Sequence, residues 1–176
     1  MFYVRKLAKP PNLQKIQTTT EITIVPADFV GQEMRTSQNT LSVWRCESLD
    51  EAGRHDAIVA ALFASSEIVA TQFIILDSEM LEAAGIKTCD SEGITAYKGL
   101  NHLHTDLCEL TYEKIGKLLS LYHEASCIKD RTPKIEKKEF QQIALDAYRS
   151  NCLDESIMQD HFQKAIQKLI ANSEAS

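Results

Sequence analysis

The sequence predicts an α+β protein in which a small mixed sheet containing a βαβ unit is followed by a C-terminal segment of three helices. Two segments of strand length, 41–46 and 71–77, flank an alanine-rich helical segment at 49–64. A strand, a helix and a strand in this order nearly always close right-handed with parallel strands. After residue 110 the apolar residues recur at the spacing of amphipathic helices.

The chain before this unit predicts two strands and a short helix. Residues 2–5 (FYVR) form the first strand, and a pair of prolines predicts the loop after it, because proline fixes φ and has no N–H donor. The segment 18–25 (TTTEITIV) is β-branched and alternating, which predicts a second strand. A helix follows over 26–34, with a proline in its first turn.

The βαβ unit begins in the segment RTSQNTLSVWRC, residues 35–46. Turn residues lead into a strand in which Leu41 and Val43 share one face. The other face carries Ser42, Trp44 and Cys46. We interpret the only tryptophan of the chain as a packing residue beneath the next helix.

The rest of the unit has clear boundaries. Ser48 and Glu51 have the spacing of a capping box for the helix after the strand. The apolar run 71–77 (TQFIILD) is typical of a strand covered on both faces. Ser78 is predicted to cap a short helix that ends at Gly85.

The second half of the chain predicts a long loop, of a length typical of functional loops, and then helices. Residues 86–104 are rich in loop-forming residues and longer than an ordinary connection. Three amphipathic stripes follow, separated by a Thr-Pro pair and by Asn151. We therefore divide the chain into a small α/β domain at 1–110 and a helical segment at 111–176, packed on that domain or on a partner.

Composition and charge exclude several classes of function. The net charge of -6 disfavours nucleic acid as a direct ligand, since phosphate binding needs clustered lysine and arginine. All of this negative balance lies in residues 1–110, with 9 basic and 15 acidic side chains, whereas 111–176 carry 10 of each.

No apolar run approaches the roughly 18 residues of a membrane-spanning helix. Five scattered cysteines without a Cys-x-x-Cys pair disfavour a disulfide framework. We expect a cytoplasmic protein that does not contact a membrane.

The histidine pair in NHLHTD is the first candidate site. In a strand, His102 and His104 would point to one side about 7 Å apart, and Asp106 would follow them. These residues could supply an acid, a base or metal ligands. The pattern is similar to the metal-binding stretch of metallo-β-lactamase-fold hydrolases, but Leu107 stands where that family has a further histidine. The sequence therefore does not predict a metal site or a particular cofactor, and a capping or exposed histidine pair is the alternative.

A second candidate site surrounds the tryptophan strand. Arg35 and Asn39 could grip a phosphate or carboxylate, because a guanidinium fork matches such anions. The alternative is that these are turn residues. Asp77, at the carboxyl end of a predicted parallel strand, is a third ligand-binding candidate, or else it caps the next helix. Glycine-rich nucleotide motifs and the nucleophile elbow are absent from the sequence.

These observations favour a small accessory or interaction protein without catalysis of its own, which binds another protein through its helical part. Its partner is another protein or a second copy of the chain. An antitoxin-like, immunity-like or complex-subunit role is compatible with the acidity, since an acidic surface complements a basic partner. The alternative is an enzyme or binding domain for a nucleotide or phosphoester, in which Arg35 and Asn39 meet His102, His104 and Asp106 in one cleft. The sequence leaves open whether the protein catalyses a reaction.

Overall fold

The computed structural model describes residues 1–8, 14, 16–17, 25, 27–65 and 67–174. The strand predicted for 18–25 lies almost wholly outside these residues. The described residues form six strands and six α-helices. The strands are β1 (Phe2–Lys6), β2 (Leu41–Cys46), β3 (Thr71–Asp77), β4 (Lys87–Cys89), β5 (His104–Cys108) and β6 (Lys134–Ile135). The helices are α1 (Ala27–Glu33), α2 (Glu51–Phe63), α3 (Ser78–Ala83), α4 (Tyr112–Cys127), α5 (Lys137–Arg149) and α6 (Asp160–Glu174).

The α+β class predicted from the sequence is confirmed, and the βαβ unit is split by another strand. The sheet order is β4-β5-β2-β1-β3-β6, and every pairing in it is antiparallel. Strands β2 and β3, which α2 connects, run in the same direction but are separated by β1. Val4 of β1 lies opposite Trp44 on one side and Ile75 on the other. The first strand of the chain is therefore a central strand, and it replaces the direct parallel pairing expected between β2 and β3.

Helices cover both faces of the sheet. The core on one face, called here the α2 face, contains Trp44, the buried residues of α2, and residues of α5 and α6 such as Phe140 and Phe162. The opposite face, called the α4 face, contains Leu41 and Val43 with residues of α1, α3 and α4. The predicted alternation along β2 is confirmed, because its residues divide between these two cores.

The three C-terminal helices are present, but they do not lie together. Helix α4 packs on its own face of the sheet, whereas α5 and α6 pack on the α2 face and against each other. Four aromatic contacts join Phe63 of α2, Tyr97, Phe140 and Phe162. The division into 1–110 and 111–176 stays a prediction.

Two helix caps differ from the sequence expectation by one or two residues. Asp50, rather than Ser48, caps α2: its Oδ1 accepts a hydrogen bond from Gly53 N at 2.8 Å. Ser48 instead donates its hydroxyl to Asp50 Oδ2. These bonds, the one from Gly53 first, lower the pKa of Asp50. Asp77 caps α3 through Glu79 N, which is the alternative role that the sequence offered for it, whereas the predicted cap Ser78 is the first residue of the helix. A carboxylate immediately before the first helical residue is the better placed acceptor in both cases.

The expectation against a disulfide is wrong at one pair of cysteines. Cys89 of β4 and Cys108 of β5 are joined by a disulfide, with their Cα atoms 6.0 Å apart. Lys87 pairs with Cys108 and Cys89 pairs with Asp106, so the two cysteines are diagonal neighbours on adjacent strands. The linear spacing could not reveal this pairing, because it arises from the register. Among the described residues, no helix is long and apolar enough to cross a membrane.

Candidate functional site

A cleft beside His104 and Asp106 lies on the α2 face, where the pairing of β1 with β2 ends. This cleft, called the His104 cleft, has a volume of about 550 Å³. Its charged and aromatic lining comprises Arg5, Lys6, Trp44, Glu92, His104 and Asp106. Ala61 and Ala64, at the end of α2, form part of the opposite wall with Ile94. A second, outer cleft of about 640 Å³ adjoins it and shares Glu92, Gly93 and His104.

The strand register produces the wall of the cleft formed by the sheet. Ser42 lies opposite Asp106, and Trp44 lies opposite His104, in the antiparallel pair of β2 and β5. Side chains two residues apart on a strand share a face, so these four side chains lie together. Ser42 and the alanines of α2 are small, which leaves space between the sheet and the helix.

His104 is held in one orientation by its neighbours. The imidazole, in a residue that is 7% exposed, packs edge-on against Trp44. Its Nδ1 lies 3.0 Å from Ser91 Oγ, and its Nε2 lies 4.0 Å from Asp106 Oδ1. Gly93 lies directly on the ring, because a Cβ at that position would be 2.3 Å from His104 Cβ. The histidine therefore presents Nε2 toward Asp106, and its other nitrogen is occupied.

Asp106 is the least satisfied group of the cleft. Its Oδ1 is buried and accepts no hydrogen bond from the described residues. The side chain as a whole is 16% exposed. A buried polar atom without a hydrogen bond costs roughly 1–3 kcal/mol, so such atoms call for a functional or structural explanation.

One cation from β1, Lys6, lines the other side of the cleft. Its neighbour Arg5 donates from Nη1 to the carbonyl of Ser42 at 2.8 Å, and its side chain lies beside Tyr122 of the core on the α4 face. Lys6 is half-buried, and burial lowers its pKa. Glu67 opposes that shift, and Arg5 adds to it. Neither cation forms a salt bridge with the described acidic residues.

His102 belongs to the outer cleft and does not lie on the strand with His104. It is part of a 3₁₀ turn at Asn101–Leu103, and β5 begins only at His104. The expectation that both imidazoles point to one side of a strand is therefore wrong. His102 Nδ1 lies 2.7 Å from the carbonyl of Gly99, and its own carbonyl accepts a hydrogen bond from Arg45. Both histidines nevertheless line the outer cleft.

Arg35 and Asn39 lie elsewhere. They line a separate cleft of about 580 Å³ on the α4 face, together with Met34, Leu110 and Ile115. Among the described residues, none lines both this cleft and either cleft at His104. The nucleotide or phosphoester site that joined the two clusters is therefore not formed in one cleft.

The turn interpretation of Asn39 agrees with its geometry. Gln38 and Asn39 both have positive φ, at 52° and 62°. Ser37 and Thr40 exchange two backbone hydrogen bonds across them. This is the arrangement of a two-residue hairpin turn, which asparagine tolerates well. Arg35 is exposed.

Asp77 has structural partners. Besides capping α3, it forms an ion pair with Arg131, with Oδ2 3.1 Å from Nη2. The guanidinium of Arg131 also lies 5.6 Å from the ring centroid of Phe2. We do not include Asp77 in the candidate site, because capping and this ion pair account for its position.

Lys6 and Glu92 also line the candidate site, although no motif in the sequence indicates them. Only the pairing of β1 with β2 brings Lys6 to the cleft that contains Asp106. Nor do the described residues contain a cluster of three or more His, Cys, Asp or Glu side chains that could hold a metal ion.

Comparison of the chain with protein-family models, curated proteins and solved structures gives no match.

Proposed function

We propose that the protein is a small accessory protein without catalysis of its own, and that it binds another protein through its helical part. The observation that carries this proposal is a pair of exposed isoleucines in one apolar groove. Ile94 is 73% exposed and Ile157, in the turn before α6, is 42% exposed.

The groove has a volume of about 150 Å³ and lies between the end of α2 and the start of α6. Apolar side chains line most of it: Phe63, Ala64, Ile94, Ala96, Ile157, Met158 and Phe162. The floor of the groove is formed by three residues of the buried core: Phe63, Ala96 and Phe162. Burying a fully exposed aliphatic side chain contributes about 1.5–3 kcal/mol, so covering the exposed fractions of Ile94 (73%) and Ile157 (42%) contributes about 1–2 and about 0.6–1.3 kcal/mol. An apolar partner segment supplies that burial.

The net charge of the chain bears on the chemistry of the partner. Exposed charges of both signs stand within a few residues of the lining residues in sequence: Glu92, Glu155, Asp160, Lys98 and Lys164. The chain as a whole has a net charge of -6. The partner segment that fits is apolar, and the acidic balance of the chain favours one that belongs to a basic protein, because complementary charges accelerate association.

Affinity capture with a matched pair of variants tests the proposal. Purified wild-type protein, an Ile94→Asp/Ile157→Asp variant and a Tyr112→Ser control are each used to capture proteins from lysate of native cells. Tyr112 is 99% exposed and lies at the start of α4, so the control removes an exposed apolar side chain outside the groove. We expect a protein that is retained by the wild type and the control and lost by the groove variant.

Two results contradict the proposal. Identical capture by all three proteins, with circular dichroism showing that each is folded, excludes the groove as the binding surface. A wild-type dimer in light scattering that the groove substitutions dissociate identifies a second copy of the chain as the occupant, and overturns a different protein as partner.

A further inference from the structure

The His104 cleft separates groups of opposite charge that do not pair with one another. Asp106 lies on β5, Ser42 on the adjacent β2, and Lys6 on β1, the next strand in the sheet. Strands lie about 4.8 Å apart, so the carboxylate and the ammonium group project from positions about 10 Å apart. The side chain between them is only a serine, and the two ends of the cleft are therefore separated by open space.

The unused polar atoms lie at both ends of this space. At one end, Asp106 has a buried Oδ1 without a hydrogen bond, with His104 Nε2 4.0 Å away. At the other end, Lys6 lines the cleft without a salt bridge to a described carboxylate, and burial lowers its pKa. Charged groups that are withdrawn from water without partners are destabilising, so their retention is explained by a ligand that pairs with them.

The charges select the class of ligand. A simple anion would pair with Lys6 but would face Asp106 and Glu92, whereas a simple cation would face Lys6. An apolar molecule would leave both ends desolvated and unpaired. A molecule that carries an ammonium group and an anionic group satisfies both ends at once.

We propose that the His104 cleft binds a small zwitterion of amino-acid size, with its ammonium group at Asp106 and its carboxylate at Lys6. His104 positions the Asp106 end through its packing on Trp44 and its contact with Ser91. Ser42, Ala61 and Ala64 provide the space for the side chain of the ligand. The cleft adjoins the apolar groove and shares Ala64, Ser65 and Ile94 with it, but its ligand is a different molecule from the partner that the groove binds.

Thermal unfolding in the presence of defined probes tests the site. The probes are the twenty protein L-amino acids, β-alanine and γ-aminobutyrate, each at about 10 mM, because a ligand that binds only the folded state raises Tm. An equimolar mixture of acetate and ethylammonium serves as the unlinked control. We expect at least one zwitterion to raise Tm by several degrees, and the unlinked mixture to leave Tm unchanged.

Four variants locate the effect. Asp106→Asn removes the charge at one end, Lys6→Gln removes a charge at the other end, and Ser42→Leu fills the space between them. Arg35→Gln is the matched control in the separate cleft on the α4 face. The ligand-induced shift should persist in Arg35→Gln and disappear in the other three, with calorimetric titration showing at least a tenfold loss of affinity.

The proposal is overturned if no zwitterion raises the Tm of the wild type, or if acetate with ethylammonium gives the same shift. It is equally overturned if the shift survives Asp106→Asn and Lys6→Gln. Should one variant fail to fold, the other two cleft variants decide the result, since they alter different strands.

Discussion

The ring of His104 packs edge-on against Trp44, with their centroids 5.0 Å apart and their planes at 75°. This contact links the interior of the sheet to the His104 cleft. Trp44 is 5% exposed and belongs to the core on the α2 face, while His104 opposite it lines both adjoining clefts. The only tryptophan of the chain thus has a structural role and, through its partner, sets the geometry of the candidate site.

Replacement of Trp44 by alanine should destabilise the protein strongly. Truncating a buried aromatic side chain removes its burial and leaves a cavity, which costs about 3–5 kcal/mol. The measurement is urea denaturation followed by circular dichroism, because the variant has no tryptophan fluorescence. Tyr112→Ala, at a residue that is 99% exposed, is the control and should change the unfolding free energy by less than about 0.5 kcal/mol. Equal effects of the two substitutions would contradict the packing role of Trp44.

Gly93→Ala should displace the loop that covers His104. The new Cβ would lie 2.3 Å from His104 Cβ and 2.4 Å from its Cγ, so either the loop or the ring must move. Overpacking of this kind costs about 1–3 kcal/mol. Gly116→Ala in α4 is the control, since its Cβ would meet no atom within 4 Å, and alanine there should stabilise the helix by about 0.5–1 kcal/mol. Chemical denaturation of both variants measures the difference, and a neutral Gly93→Ala would show that the loop does not rest on the ring.

The Cys89–Cys108 disulfide should be detectable and should stabilise the protein. Peptide mapping without reduction is expected to show the two cysteines in one linked pair of peptides. A link between residues separated by 19 positions restricts the unfolded chain and contributes about 3 kcal/mol in the chain-entropy description. Cys89→Ser should therefore lower the unfolding free energy under oxidising conditions and have a much smaller effect when both proteins are kept in excess dithiothreitol. A difference of equal size in both conditions would mean that the substitution acts through packing rather than through the disulfide.

The three remaining cysteines should differ widely in reactivity. Burial raises the pKa of Cys46 to about 11. Because the thiolate is the reactive form, only about a thousandth of this thiol is reactive at pH 8, and it is also shielded. Cys127 is exposed and should be alkylated first, whereas Cys46 should react only after unfolding. Timed alkylation with mass spectrometry provides the measurement, and labelling of Cys46 in the native protein as fast as Cys127 would contradict its burial.

Alternation in the sequence was sufficient to assign β2 to its two cores. Leu41 and Val43 enter one core and Trp44 and Cys46 the other, as their spacing predicts. Periodicity describes only the environment of a strand, however, and does not determine its neighbours. The insertion of β1 between β2 and β3 depends on long-range pairing, such as Val4 with both Trp44 and Ile75. No local pattern in FYVRK indicates this central position.

The candidate site shows the same limit. His104 and Asp106 stand out in the sequence because they lie two residues apart and are ionisable. Lys6, the cation across the cleft from them, lies near the start of the chain, and strand pairing alone brings it to the cleft. Arg35 has the chemistry of an anion-binding residue. It precedes the hairpin turn before β2, however, and lines the separate cleft on the α4 face. Residue type alone indicated His104 and Asp106, whereas the residue from β1 could be recognised only from the strand order.

The ion pair of Arg131 and Asp77 should contribute more to stability than the exposed pairs of the surface. Its side chains are 10% and 21% exposed, so Arg131→Met would leave the Asp77 carboxylate half-buried without its cation. The expected loss is about 2–4 kcal/mol, because a mostly desolvated charge is left unpaired. The Lys134→Met control breaks a pair with Glu136 whose side chains are 48% and 61% exposed, and it should cost about 0–1 kcal/mol. Urea denaturation of these variants, together with Asp77→Asn and the Arg131→Met/Asp77→Asn double variant, isolates the coupling between the two charges. A coupling energy near zero would show that Arg131 acts through its contact with Phe2 rather than through the carboxylate that caps α3.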